Sequence, residues 1–483
     1  MPGLLSRFVL PLSLGVSLLG GCASQPRSLS PLALPDATDI PSCRAFYAEL
    51  ADEVGHQGVN DAQTVPLPGY PHYRVDRFLA ATATLPARDA WLDLAQASGL
   101  TGSGVELANL QAPPQWKEQA RNSLQRCSAL LRRADENASG LESVRRTVAV
   151  PPEYQSWKQL LGLYWLTVQP MKWGVTRLHR EIGQTFATPL DTLPVEGNLI
   201  SYAPPEEIAP LSPEELKPLL KAMADHPLGT PALDPSLRER LFATFAPTWE
   251  VDVASWADQP GEIVLEKGQP RVNTAKPMVY RHLSHTRFQG RTLTQLNYIL
   301  WFPARPMSSP FDLLGGNLDG LTWRVTLGTD GQPLLQDTIH NCGCYHLFFP
   351  APGLKPKEPE TLSEEAAFAP QPLESAPRAT IRLAHGSHFV QRVHHAPSPL
   401  RVPYAWEEYQ TLRSLPDGAA HRSLFGADGI VTGSERGERW LFWPMGVPEP
   451  GAMRQWGHHA TSFSGQRHFD DADLLDRLFH YTP

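Results

Sequence analysis

The period of the apolar residues changes once along this chain, near Pro247, and that change limits what each half can fold into. Before it, WKEQARNSLQRCSALLRRADE (116–136) spaces its apolar residues as an amphipathic helix does. In SWKQLLGLYWLTVQPMKW (156–173), Leu160, Leu161, Tyr164, Trp165 and Val168 form one stripe, of the kind that usually faces a core, and Pro170 kinks or ends that helix. Ser212-Pro213-Glu214-Glu215 combines an N-cap, a proline at the first turn and a glutamate at N3, so a helix starts there with Leu216, Leu219, Leu220 and Met223 inward.

After Pro247 the pattern alternates. WEVDVAS reads as a strand and GEIVLEKGQPRVN as a short hairpin. MVYRHLSHTRFQGRTLTQLNYILWF reads as two long strands about Gln289-Gly290, and Asp330-Gly331 marks the next turn. A Pro/Glu/Ala-rich insert, 350–379, has no regular period and is expected to be a mobile loop. ATIRLAHGSHFVQRV is strand-like again, GIVTGSERGERWLFWP reads as a hairpin, and DDADLLDRLF as a short helix capped by Asp470 or Asp471. The expected fold class is α+β: a mainly α-helical domain over 42–240, then a largely antiparallel β-domain over 245–483 with a short C-terminal helix.

Composition narrows the function classes. A net charge of −8 argues against a nucleic-acid partner, which needs a basic face to neutralise phosphates. The 48 prolines imply many rigid turns and short elements. There is no glycine-rich phosphate loop, GxSxG nucleophile elbow or internal repeat.

The N-terminus carries one early positive charge, Arg7, and then FVLPLSLGVSLL, an apolar run of signal-peptide length that is too short for a transmembrane helix. Leu19-Gly20-Gly21-Cys22 follows, and this stretch resembles the lipobox of bacterial lipoproteins. The resemblance implies cleavage before Cys22, lipidation of that residue, and, since Ala23 is not an aspartate, sorting to the outer membrane. It covers residues 1–22 only. Ser/Pro-rich residues 23–41 then read as an extended tether. The expected partners are the membrane, through the anchor, and an envelope component or periplasmic protein.

With Cys22 set aside, Cys43, Cys127, Cys342 and Cys344 remain, and three pairings are open. A Cys43–Cys127 bridge between two helix-like segments is expected, closing a loop of about 85 residues. The other pair lies in HNCGCYH (340–346), where His340, Cys342, Cys344 and His346 occupy every second position and would share one face of a strand. Thiolate and imidazole suit zinc or copper. On a straight strand the outer histidines lie about 20 Å apart, so one ion would need a bend, for which Gly343 is placed. A CxC disulfide, two buried core thiols, or bridges to Cys43 and Cys127 are the alternatives.

Thirteen of the seventeen histidines lie beyond residue 280, which directs the search for a site to the β-domain. Counting back from the Gln289-Gly290 turn sets His282 opposite Asn297 and Ser284 opposite Gln295. With Tyr280 and Trp301 these form a polar cluster that either is solvated or lines a pocket. Counting from Asp330-Gly331 sets Arg324 opposite Asp337, a cross-strand ion pair that reads as surface decoration before a substrate clamp, with Arg324 as the pocket candidate. With zinc, the expected chemistry is activation of a bound water, His282 or Asp337 accepting the proton. With copper or a CxC redox pair, the expectation is envelope homeostasis or electron transfer. The rival reading is a non-catalytic lipoprotein that binds a glycan or protein, its CxC a structural disulfide.

Overall fold

Gln289 and Gly290 both have positive φ, 50° and 77°, the backbone that a two-residue hairpin turn requires. From this turn hang the strands Met278–Phe288 and Arg291–Arg305, the longest antiparallel pair of the fold. The structure is a computed structural model and describes residues 33–35, 39–136, 138–230, 232–359, 364–373, 378–396 and 401–482. The signal-like segment, Cys22 and most of the expected tether lie outside them.

The hairpin extends into a six-stranded sheet in the order Leu347–Pro350, Pro333–His340, Gly316–Leu327, Arg291–Arg305, Met278–Phe288 and Ala405–Glu408, antiparallel except at the last strand. The registers match those read from the turns: His282 faces Asn297, Ser284 faces Gln295, and Arg324 faces Asp337. One face packs, through Leu296, Tyr298, Trp323 and Val325, onto a second sheet around Trp249 and Val251 and onto the Pro235–Phe245 helix. The other face is covered by the C-terminal segment, with Tyr409, Trp456 and Phe469 over Tyr280 and Trp301.

The fold is thus mixed α+β, with helices concentrated in the N-terminal half and antiparallel-rich sheets after it. The halves are interwoven. Asn198–Ala203, a strand inside the helical half, lies between Thr248–Val253 and Arg401–Pro403 in the second, five-stranded sheet. Asp61, from the N-terminal region, is buried against the Arg413 guanidinium and accepts from Gln455. The Pro213–Asp225 helix carries the full Ser212/Glu215 capping box and buries Leu216, Leu219 and Met223.

Several segments differ from their sequence pattern. The 350–379 insert contains a strand, Leu354–Pro356, paired with Phe479–Tyr481, and it buries Leu373. GIVTGSERGERWLFWP contains the Arg439–Phe442 helix and a 3-10 turn instead of a hairpin. The C-terminal helix begins after Asp473, while Asp471 accepts from the His468 amide and pairs with Arg477. Pro170 lies inside the Tyr164–Ala187 helix and does not end it.

Cys43 and Cys127 are disulfide-bonded and join the helices Ile40–Gln57 and Pro114–Ala134 through a buried apolar cluster. In the chain-entropy account this loop contributes about 4 kcal/mol. The double variant Cys43→Ala/Cys127→Ala is therefore expected to lose stability of that order. Guanidinium unfolding of oxidised wild type against the variant checks it; equal midpoints would contradict it.

Candidate functional site

The strand expected through HNCGCYH ends at His340. The His340 carbonyl accepts from the Gly343 amide at 2.7 Å, and the His340 amide donates to the Cys344 carbonyl at 2.9 Å, so residues 340–344 close into a loop. Gly343 is required there: its φ is +91°, and a Cβ would approach the Ala460 carbonyl oxygen to 2.7 Å. Asn341 fastens the loop to the sheet, accepting from Thr322 Oγ1 and donating through Nδ2 to the Leu300 carbonyl. Arg454 Nε donates to the Cys342 carbonyl.

This geometry separates the four expected ligands. His340 turns to Asp319, with Nδ1 at 3.6 Å from Oδ1, and His346 turns to Asp337, with Nε2 at 2.8 Å from Oδ2. Only Cys342 and Cys344 meet, the two thiols hydrogen-bonding each other; both are free of disulfides. Among the described residues no group of three or more His, Cys, Asp and Glu side chains is placed to hold a metal ion. His340, Cys342, Cys344 and His346 therefore do not make one zinc or copper donor set, because the loop closes where a straight or gently bent strand was expected.

Asp337 and Arg324 are paired in the interior, not at the surface. Arg324 Nε and Nη2 reach Asp337 at 2.9 and 2.5 Å, and both side chains are almost wholly buried. Burial raises the Asp337 pKa, but Arg324 and His346 outweigh it and hold the carboxyl below its ordinary value. A carboxylate so occupied is a structural anion, not a free proton acceptor. His282 packs 4.6 Å from Trp456 and 5.5 Å from Tyr409, ring centroid to centroid. Burial, with the charges of Arg238 and Arg413, pushes its pKa down to about 3. It lies three strands from Asp337 in the same cross-sheet row, with Asn297 and Arg324 between.

The polar cluster is hydrogen-bonded within itself. Ser284 donates to Gln295, Gln295 to Thr326, and Asn297 to both Ser284 and the His282 carbonyl, a ladder beneath the C-terminal segment. Tyr280 and Trp301 are core, and the Tyr280 hydroxyl accepts from the Ile263 amide. Such a ladder satisfies the polar groups that this sheet face would otherwise strand.

The cavity lies on the other side of the 340–344 loop. It measures about 670 Å³, and its floor is Cys342, Gly343, Cys344 and Tyr345. One wall is the Tyr164–Ala187 helix, whose Thr167, Met171, Gly174, Val175, Leu178 and Ile182 recur at three- and four-residue spacing. The facing wall comes from Phe442, Pro444, Met445 and Ala460 to Phe463. Trp173 and Leu441 both line the cavity and are largely exposed, so it opens to the surface between them.

Few polar groups enter this apolar space. Glu365 is held by Arg467 and Ser462, and the His179 ring stacks on Phe368. Glu438 is buried, and burial raises its pKa against the opposing pull of Arg436 and Arg305. Gly451 makes room for that carboxyl, since a Cβ there would fall 2.1 Å from Glu438 Oε1. The thiols are unequal: the hydrogen bond from Cys344 lowers the Cys342 pKa against burial, and the same bond and burial push Cys344 up.

Behind the floor runs a buried charge network that sequence reading missed. His388, wholly buried, bonds Asp319 at 2.8 Å and faces Asp258 at 3.5 Å; Arg436 also reaches Asp319, and His385 reaches Asp258. Its members come from distant segments, and no spacing within one segment announces it. Further histidines of the C-terminal half are engaged apart from one another: His394 with Glu250, His458 with Glu153 and the Ala62 carbonyl, His468 with Asp471, and His395 with the Arg378 carbonyl. Buried His459 packs edge-on to Phe469.

The chain was compared with protein-family models, curated proteins and solved structures, and none of them matches it.

Two outcomes follow from the buried charges. Asp337→Asn leaves Arg324 uncompensated in the interior and is expected to cost about 3–5 kcal/mol, read from denaturant unfolding. A cost under about 1 kcal/mol would contradict the pairing. Burial lowers the His388 pKa, but Asp258 and Asp319 outweigh it and raise it above the ordinary value. Its stabilisation is thus full below about pH 6.5, the unfolded pKa, and is lost as pH rises through the folded pKa. His388→Gln should flatten that decline in wild-type stability above pH 6.5, with His458 supplying what remains.

Proposed function

We propose that this is a lipid-anchored envelope protein, sorted to the outer membrane and facing the periplasm, that takes the hydrocarbon part of an envelope lipid into the cavity over the Cys342–Cys344 floor. The observation that carries this reading is the cavity itself. Its volume falls in the range of pockets that hold small ligands, roughly 300–1,000 Å³. One face of a 24-residue helix borders it, and that helix buries only Val168, Ile182 and Phe186. Apolar surface left in contact with water costs about 25 cal/mol per Å², so an apolar guest is favoured. Glu438, held towards its neutral form, suits an uncharged polar group at one end of that guest. The anchor rests on the Leu19-Gly20-Gly21-Cys22 resemblance.

A second reading, thiol–disulfide chemistry, rests on the contact between Cys342 and Cys344. Two thiols with pKa values pushed apart suit an attacking and a resolving cysteine. Both readings use the same floor, so one experiment addresses them. cis-Parinaric acid, a fluorescent fatty acid, is titrated into wild type and into Gly174→Trp. Gly174 lines the cavity, and a Cβ there meets nothing within 4 Å, so the larger side chain enters the space without a backbone clash. Saturable binding, weakened about tenfold or more in the variant at an unchanged melting temperature, is expected. Absence of saturable binding to wild type would contradict the lipid reading. Iodoacetamide should modify Cys342 before Cys344, and parinarate should protect both; Cys344 reacting first would contradict the thiol reading.

A further inference from the structure

The stripe at 160–168 does not face a core. Leu160 is 77 % exposed and Trp165 71 %, while Val168 alone of that stripe is buried. Leu161 and Leu166 are exposed beside them, and Trp173, 69 % exposed, continues the surface to the cavity mouth. The Arg439–Phe442 helix adds Trp440 and Leu441 at the same mouth. The two sides are locked together: Gln159 Nε2 donates to the Met445 carbonyl, and the Gln155 amide to the Gly446 carbonyl. Exposed apolar surface of this continuity marks an interaction site.

The charges indicate what covers it. From Ser156 to Val175 the only charged residues are Lys158 and Lys172, with no Asp or Glu. Neither lysine is ion-paired among the described residues, and the Lys158 ammonium lies 5.7 Å from the Trp157 ring centroid. Arg439 sits over Trp440 and pairs with Glu449. Over 156–175, tryptophan and leucine with unpaired lysines and no carboxylate is the composition of a surface that lies in the headgroup region of an anionic bilayer. A second copy of this chain would set the lysines of 156–175 against each other, since Glu181 and Glu449 on and beside the ridge are already paired with Arg177 and Arg439. Insertion is shallow, because no helix among the described residues is long and apolar enough to cross a membrane.

We infer that the ridge built by Ser156–Leu161, Tyr164–Ala187 and Arg439–Phe442 docks on an anionic lipid bilayer, so that the cavity opens directly onto lipid. This rests on the reading of the cavity as a hydrocarbon site and names the surface from which the guest enters. Docking holds the mouth between Trp173 and Leu441 at the depth of the upper acyl chains. A lipid tail then passes from bilayer to cavity without crossing water.

The test uses the full chain with vesicles of phosphatidylethanolamine and phosphatidylglycerol whose acyl chains carry bromine, which quenches tryptophan on contact. Wild-type fluorescence is expected to fall, and to fall less when phosphatidylcholine replaces phosphatidylglycerol. In Trp157→Gln/Trp165→Gln/Trp173→Gln/Trp440→Gln the quenching should disappear. Lys158→Glu/Lys172→Glu keeps every tryptophan and should weaken vesicle quenching about tenfold at limiting lipid, which guards against a tryptophan variant that fails to fold. No quenching of wild type, quenching that survives in the four-tryptophan variant, or a dimer in sedimentation that leaves the ridge unquenched would each overturn the inference. Parinarate binding without vesicles reports on the cavity alone. Binding without quenching removes only the docking, and quenching without binding removes only the hydrocarbon site.

Discussion

The buried Asp337 carboxylate is the contact on which the site's geometry depends. It joins Arg324 of the neighbouring strand to His346, which lies just beyond the 340–344 loop, so the far end of that loop is tied back to the strand that leads into it. Arg324 also donates to the Phe469 carbonyl and lies 3.6 Å beneath the Phe469 ring, which ties in the C-terminal cover. Three charged or polar groups sharing one dry position leave little freedom, since removal of any one strands the others. The loop between His340 and His346 is therefore held against the sheet, with Cys342 and Cys344 at the floor of the cavity.

The cavity follows from how the remaining chain closes around that loop. The C-terminal segment contributes one wall and the Tyr164–Ala187 helix the other. The helix touches the sheets mainly through its last turns, at Ile182 and Phe186. Its first half packs on the Trp443–Met445 turn, and Tyr164 at its start donates to the Phe463 carbonyl. A helix supported at its ends and apolar on two faces presents one face to the cavity and the other to the surroundings. The same residues that make it a poor core element suit it to the boundary between the proposed hydrocarbon site and the proposed membrane surface.

Much of this fold is legible in the sequence, and the limits have physical causes. The Gln289-Gly290 and Asp330-Gly331 turns set strand registers by counting alone, because side-chain alternation leaves no freedom once the turn is known. The Ser212 capping box and the Cys43–Cys127 bridge were legible for similar reasons, one local and one constrained by number. Periodicity, by contrast, tells which residues share a face but not what lies opposite. It gave the Leu160–Trp165 stripe the look of core, and it made Ser284, Gln295 and Asn297 look like pocket lining where they bond one another along the sheet. HNCGCYH reads as a strand by alternation, yet Gly343 and the pull of Asp319 and Asp337 on the flanking histidines turn it. The Asp258–His388–Asp319–Arg436 network joins parts of the chain too far apart for any spacing rule. The lipobox-like segment falls outside the described residues, so the anchor stands on its sequence pattern.

The measurement that tests the central claim most directly is chemical identification of what the cavity holds in the cell. The protein is purified from bacterial envelopes without lipid-stripping detergent, and the bound material is extracted and identified by mass spectrometry, with metals determined on the same sample. The account predicts one acyl-chain lipid per protein beyond any covalent modification at Cys22, its yield falling sharply in Gly174→Trp. A protein that carries no lipid, or carries the same lipid whether or not the cavity is obstructed, would contradict it.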